Sequence, residues 1–262
     1  MTNSPRSSAA GAPASQAARR NAAAFAAQWA HFRHLKVTND SLARDRRGLR
    51  RWLLMPYLAF VIPIDDPDVR ARIEAWQNAF ADVLPYLPQP MDRVHVTLHY
   101  AGLLRTNGWL LLPHTWSRDA LARLAARAGH ALAQCRPFTI WIGPLNAFPN
   151  VLFAEVHDTE DECLRATRLR VRRALPRRAR PPSPWNYLPH VTLGYWGTQP
   201  APPLVARLRP LRDAEPLPLR VTRIRFTIYR RDVLPATPDV LARAREELIA
   251  EYPLMARDEP RK

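Results

Sequence analysis

Apolar positions recur along this chain at two periods, and the switches between them divide it into strands and helices. YLAFVIPI (57–64) is a continuous apolar run of strand length. DPDVRARIEAWQNAFADVL (66–84) follows, with Val69, Ile73, Trp76, Phe80 and Val83 on one helical stripe. Asp66 suits an N-cap and Pro67 the first helical position, and Pro85, Pro88 and Pro90 stop the helix. RVHVTLHYAG (93–102) alternates as a strand. A second helix is expected over 118–135, opened by Ser117, with Ala120, Leu121, Leu124 and Ala128 inward. PFTIWIGPL (137–145) and NVLFAEVHD (150–158) read as two strands joined by a short turn. A helix over about 160–175 and a Pro- and Arg-rich loop over 176–184 lead to another strand, YLPHVTLGYWG (187–197). LPLRVTRIRFTIYRRD (217–232) reads as one long strand, and 238–252 as an amphipathic helix with Val240, Leu241, Leu248 and Ile249 apolar.

Two of these stretches share one plan. Each runs strand, helix, Pro-containing loop, then His-Val-Thr-Leu-x-Tyr, with a glycine two residues later at Gly102 or Gly197. The interval from the acid that opens the helix to the histidine is 95 − 66 = 29 residues in the first and 190 − 158 = 32 in the second. Such repetition predicts a duplicated unit about a pseudo-twofold axis, with both copies in one domain because neither buries its sheet face alone.

On a strand, residues i and i+2 share a face. His95, Thr97 and His99 are therefore expected on one face, and His190 and Thr192 on the corresponding face of the second copy. The opposite faces, Val96-Leu98-Tyr100 and Val191-Leu193-Tyr195, are apolar. A cleft between the two strands would hold two imidazoles and two hydroxyls around one anion. Histidine titrates near pH ~6.5, so one ring can take a proton while its partner donates one. Threonine hydroxyls can donate to non-bridging phosphate oxygens. No metal or cofactor is required. His95 and His99 make an HxxxH spacing, but on a strand the two side chains sit ~13 Å apart, too far to share a zinc ion.

HVTL at 95–98 and HVTL at 190–193 resemble the paired H-x-[ST]-x motifs of the 2H phosphoesterase superfamily. The flanks DRVHVTLHYAG and YLPHVTLGYW are similar to those of its bacterial 2′-5′ RNA ligase / RNA 2′,3′-cyclic phosphodiesterase group. The resemblance covers about 52–235. It implies a bilobal α+β fold, two pseudo-symmetric units with antiparallel sheets around a central cleft and helices outside. It also implies metal-independent hydrolysis of 2′,3′-cyclic phosphate ends to 2′-phosphates, with reversible 2′-5′ ligation in some members. By position, His95, Thr97, His190 and Thr192 take the catalytic roles, with His95 as general acid and His190 as general base for hydrolysis. Arg93, His99, Tyr187 and Trp185 are candidate substrate contacts: Arg93 for phosphate, the aromatic pair for stacking on a base.

Charge sharpens the choice of partner. Lys and Arg number 39 against 23 Asp and Glu, a net charge of +16, and lysine occurs only at Lys36 and Lys262. A field of that sign attracts polyanions, so RNA or an oligonucleotide is the expected partner, although Arg-, Ala- and Pro-rich usage also follows from a GC-rich genome. Two other readings remain open from sequence: a phosphodiesterase of small nucleotides such as 2′-5′ oligoadenylates or ADP-ribose cyclic phosphates, and a nucleotide-binding module without turnover. Cys135 and Cys163 form no CxxC and read as reduced thiols. No apolar run reaches ~18 residues and no secretory signal opens the chain, so a cytoplasmic monomer with no membrane contact is expected. Residues 1–50 read as a basic, largely disordered tail, 51–252 as the domain and 253–262 as a C-terminal tail. Within the first tail, 18–35 can form a helix that presents Phe25, Trp29 and Phe32 to the domain or to a partner, and DRRGLRR (45–51) reads as a solvated basic linker.

Overall fold

The computed structural model describes residues 16–38, 56–83, 85–105, 115–159, 161–180, 187–229 and 246–255. Trp185 and the linker at 45–51 lie outside these residues. Strands β1 (Tyr57–Pro63), β2 (Tyr86–Pro88), β3 (His95–Leu104), β4 (Thr115–Trp116), β5 (Phe138–Phe148), β6 (Val151–Asp158), β7 (His190–Trp196), β8 (Leu217–Val221), β9 (Arg223–Tyr229) and β10 (Glu246–Pro253) form one curled sheet. Its order is β10-β9-β1-β3-β7-β6-β5-β8, with β2 added beside β7 and β4 beside β3. Apart from the short parallel β3–β4 contact, every pairing is antiparallel.

The helices are α1 (Gln16–Arg33), α2 (Pro67–Asn78), α3 (Arg118–Leu132), α4 (Cys163–Ala174) and α5 (Ala201–Leu208). The expected capping acids hold the two repeat helices. Asp66 Oδ1 accepts from the Asp68 and Val69 amides at 3.0 and 3.1 Å, satisfying donors that the first turn leaves open. Asp158 accepts from the Leu164 and Arg165 amides at 3.0 and 2.9 Å and does the same for α4. The units interlock. Helix α2 of the first unit packs on β7 and β8 of the second, while α4 of the second packs on β3 of the first as well as on β5 and β6. One continuous core runs between helices and sheet, through Phe60, Ile73, Leu98, Leu124, Ile142, Val191 and Phe226.

Two expected elements differ. The stretch 217–232 is two strands rather than one. Its β8 portion borders β5 at one end of the sheet, its β9 portion borders β1 near the other, and the chain crosses at Thr222. The Leu254 amide donates to the Thr222 carbonyl at 2.8 Å across that break. Within the segment expected as a helix over 238–252, residues 246–252 belong to strand β10, paired with β9; residues 238–245 lie outside the described residues. The Leu248-Ile249 spacing fits either period over so short a run, and the open edge of β9 decides in favour of a strand.

Both HVTLxY strands carry a β-bulge at the same place. In β3 the register passes from Phe60↔His99 to Val61↔Thr97, skipping Leu98, and in β7 from Leu152↔Gly194 to Phe153↔Thr192, skipping Leu193. A bulge inserts one residue and re-aims the side chains beyond it. After it, Tyr100 and Tyr195 pair with Ala59 and Val151 and return to the histidine face. Gly194 at the second bulge is closely covered: a Cβ there would lie 2.5 Å from the ring and the hydroxyl of Tyr86, which is itself buried. Gly194→Ala is therefore expected to destabilise the fold by about 1–3 kcal/mol, the usual cost of overpacking. Thermal unfolding checks this; an unchanged midpoint would mean that the Tyr86 ring is free to move aside.

Candidate active site

The two halves of the sheet meet edge to edge at β3 and β7, and the register between them is a single pair, Val96 opposite Val191. Both valines point into the core, so the flanking residues point the other way. In an antiparallel register His95 then lies on the side of Thr192, and Thr97 on the side of His190. Past this pair β7 takes β2 as its neighbour, with Gly194 opposite Pro88, and the Tyr187 hydroxyl donates to the Thr97 carbonyl at 2.9 Å. The four motif residues thus share one face about the seam between the halves, and each remains partly accessible.

Each imidazole is held in the same way. His95 Nδ1 lies 2.8 Å from the Arg93 carbonyl, and His190 Nδ1 2.8 Å from the Leu188 carbonyl, in each case two residues back along the chain. A carbonyl only accepts, so Nδ1 carries the proton in both rings and Nε2 carries the lone pair. Thr97 Oγ1 is 3.2 Å from His95 Nε2. Burial lowers both histidines below their ordinary range because it penalises the charged ring; His95 falls to about 4, with repulsion from His190 adding to the effect of burial. Two neutral imidazoles on one face are suited to an anion, which would favour a proton on either ring.

The second copy is not identical to the first. Each ring is flanked by an aromatic residue from the next strand but one. For His95 this is Tyr229 on β9, stacked at 4.8 Å between centroids, with its hydroxyl 3.1 Å from Nδ1. The same hydroxyl donates to Glu246 Oε1 at 3.4 Å. For His190 it is Phe148 on β5, edge-on at 5.3 Å, joined by Phe153 of β6 at 5.3 Å. His95 thus has a phenol beside its ring, whereas His190 has two phenyl rings beside it, with Glu155 opposite it on β6. Sequence reasoning missed Tyr229, Phe148 and Glu246. Strand alternation alone does not show which distant strands the curl brings onto one face.

His99 is a correction. The bulge turns it away from the catalytic face, and it pairs with Phe60 on the core side. There it is buried, 2.9 Å from the Ala179 carbonyl, and lowered to about 4 by that burial. His95 and His99 thus lie on opposite faces of β3 and cannot share an ion. Arg93 is also displaced from its expected strand position. It ends a short 3-10 turn, Met91–Arg93, and supplies the carbonyl that orients His95. Tyr187 lies under the Arg168 guanidinium, 3.9 Å from its ring centroid, so that face of the ring is not open for a base.

Helix α1 brings its Phe25 end onto the histidine face, while Phe32 reaches the core on the other side of the sheet. Phe153, Glu155 and His157 of β6 share the face of His190, and Glu155 is its register partner. Asn146 of β5 shares it through its pairing with Phe153. The Phe25 ring sits 5.1 Å from the His157 ring and 6.3 Å from that of Phe153. Asn146 Nδ2 donates to the Phe25 carbonyl at 3.0 Å and to Glu155 Oε1 at 2.7 Å. Arg212 donates to Glu155 at 2.9 Å and covers Trp29 at 4.9 Å. Glu155 is buried and its charge is met by these partners and by His157 at 3.0 Å, as burial of a carboxylate requires. At the other end Phe32 stacks on Trp196 at 5.7 Å, and Thr38 Oγ1 donates to the Gly197 carbonyl at 2.6 Å.

Among the described residues no helix is long and apolar enough to cross a membrane. A search of curated proteins returned no significant match. Solved structures share the fold. TT0787 of Thermus thermophilus is 19% identical, with a TM-score of 0.52 over 77% of this chain and 100% of its own. A protein described as a phosphoesterase is 17% identical, with a TM-score of 0.54 over 77% and 99%. E. coli LigT complexed with 3′-AMP is 15% identical, with a TM-score of 0.50 over 77% and 99%. The model of the 2′-5′ RNA ligase superfamily matches residues 65–233, a span that contains both histidine motifs and their bulges. With the fold, the duplicated strands and this match in agreement, the chain belongs to the 2′-5′ RNA ligase superfamily of 2H phosphoesterases.

Proposed function

We propose that this protein hydrolyses RNA ends that carry a 2′,3′-cyclic phosphate, leaving a 2′-phosphate, without a metal. The observation that carries this reading is the placing of two imidazoles on one face across the β3–β7 seam, each with its Nδ1 fixed by a carbonyl two residues back. The phosphate takes the place between the two motifs, with the Thr97 and Thr192 hydroxyls directed at its non-bridging oxygens. His190 is the base. It removes a proton from water as the water oxygen attacks phosphorus. His95, charged when the substrate is bound, is the acid. It gives its proton to O3′ as the P–O3′ bond breaks. The net charge of +16 supports RNA as the class of substrate through long-range attraction. That E. coli LigT is described as complexed with 3′-AMP supports a nucleotide as the kind of ligand.

An RNA oligonucleotide ending in a 2′,3′-cyclic phosphate, incubated with the protein in excess EDTA, is expected to yield the 2′-phosphate. Loss of activity on chelation would overturn the metal-free mechanism. His95→Ala and His190→Ala are each expected to lower turnover at least ~100-fold, as removal of a general acid or base does. A silent change at either position would dissolve the pair.

The pH dependence follows from the sign of the shifts. The productive free enzyme has one ring neutral and one charged. Both histidines lie below the ordinary value of ~6.5, so that population peaks on the acid side and declines as pH rises. The kcat/KM profile reports the free enzyme. It is expected to be bell-shaped with its maximum between about 4 and 6.5, the former being the depressed value for His95. A profile still rising at pH ~8 would contradict the account of burial.

A further inference from the structure

Helix α1 precedes the family match at 65–233, yet it takes up part of the catalytic face. A phosphate held between β3 and β7 has two directions in which its substituents can run. One passes from β3 over β1 and β9, where Tyr100 is 37% exposed beside Tyr57, with ring centroids 6.2 Å apart. The other passes from β7 over β6 and β5. Phe25 of α1 sits there at 1% exposure, on Phe153 and beside Asn146, both at 0%. Phe153 touches the His190 ring, so α1 closes this direction within one side chain of the base. The seal is fastened from three sides. Asn146 holds the Phe25 carbonyl, Gln28 Nε2 donates to the Ala147 carbonyl at 2.8 Å, and Arg212 bridges Trp29 to the buried Glu155.

We infer that α1 restricts this enzyme to one nucleoside at the scissile phosphate, so that it hydrolyses cyclic-phosphate ends but neither makes nor cleaves 2′-5′ linkages. The inference rests on the reading of the site given above. In hydrolysis both ester oxygens, O2′ and O3′, belong to one ribose. The side of the base receives only water, which loses a proton to His190 as the P–O3′ bond breaks. Cleavage of a 2′-5′ linkage needs more room. The 3′-hydroxyl gives its proton to His95 as its oxygen attacks phosphorus and closes the cyclic phosphate, the P–O5′ bond breaks, and the 5′-oxygen takes a proton from a charged His190 and departs with its own nucleoside. Ligation is the reverse, with a 5′-hydroxyl entering where water would stand. Either way a second ribose and base must lie beside His190, over β6 and β5, where Phe25 is seated on Phe153 and beside His157.

The test compares two substrates on the full chain: an oligonucleotide with a 2′,3′-cyclic phosphate end, and a 2′-5′-linked diadenylate. The unchanged protein is expected to open the first at least ~1,000-fold faster than it cleaves the second, a difference in the range of discrimination by exclusion from a site. Comparable rates on both would overturn the inference while leaving the proposed function standing. Turnover of neither would instead remove the proposed function, and the inference with it. The variant Phe25→Asp/Trp29→Asp places charges where α1 is buried and should lift the helix from the face. Provided circular dichroism shows that it remains folded, it is expected to gain at least ~10-fold in diadenylate cleavage relative to cyclic-phosphate hydrolysis. A folded variant with unchanged selectivity would overturn the inference.

Discussion

The site depends on how little joins its two halves. Val96 opposite Val191 is the register between β3 and β7, and past it β7 pairs with β2 instead. That single pair sets the two histidine motifs on one face, each beside the other's threonine. Around this seam the fold is tied by other means. Helices α2 and α4 are each packed on the strands of the other unit, and the chain crosses between the ends of the sheet at Thr222. The interlocking carries the cohesion, which frees the seam to stay narrow.

Duplication explains the shared parts of the site, and divergence explains the rest. Both copies have the His-Val-Thr-Leu strand, a bulge after the threonine, and a carbonyl two residues back that fixes the tautomer. The residue exposed to choice by the bulge has gone two ways. In the first copy it is His99, turned into the core against Phe60; in the second it is Gly194, bare because Tyr86 lies on it. Behind the catalytic rings the copies also differ, with Tyr229 and Glu246 near His95 and Phe148 and Phe153 around His190.

The repeat and its chemistry were legible in the sequence because they depend on local spacing. Two HVTLxY strings, each after a capped helix, announce two strands, their shared face and the residues on it. What was not legible depends on pairing. A bulge is invisible to alternation until the partner strand is known, so His99 was expected on the wrong face. The aromatic residues around each ring come from β5, β6 and β9, which only the curl of the sheet brings near. The end of the chain misled for a related reason: Glu246–Pro253 has no strong period of its own, and the free edge of β9 gives it one. Helix α1 was visible as a stripe of Phe25, Trp29 and Phe32, but a stripe does not name the surface that it covers.

The central claim is that the two imidazoles serve one phosphorus atom, and inorganic phosphate tests it without turnover. In a histidine-selective NMR titration of the full chain, phosphate is expected to shift the ring signals of His95 and His190 together. It should also raise their common titration towards neutrality, since one bound anion lowers the cost of a proton on either ring. If phosphate moved only one of the two signals, or moved them with different affinities, the rings would not share a site and the account would fail.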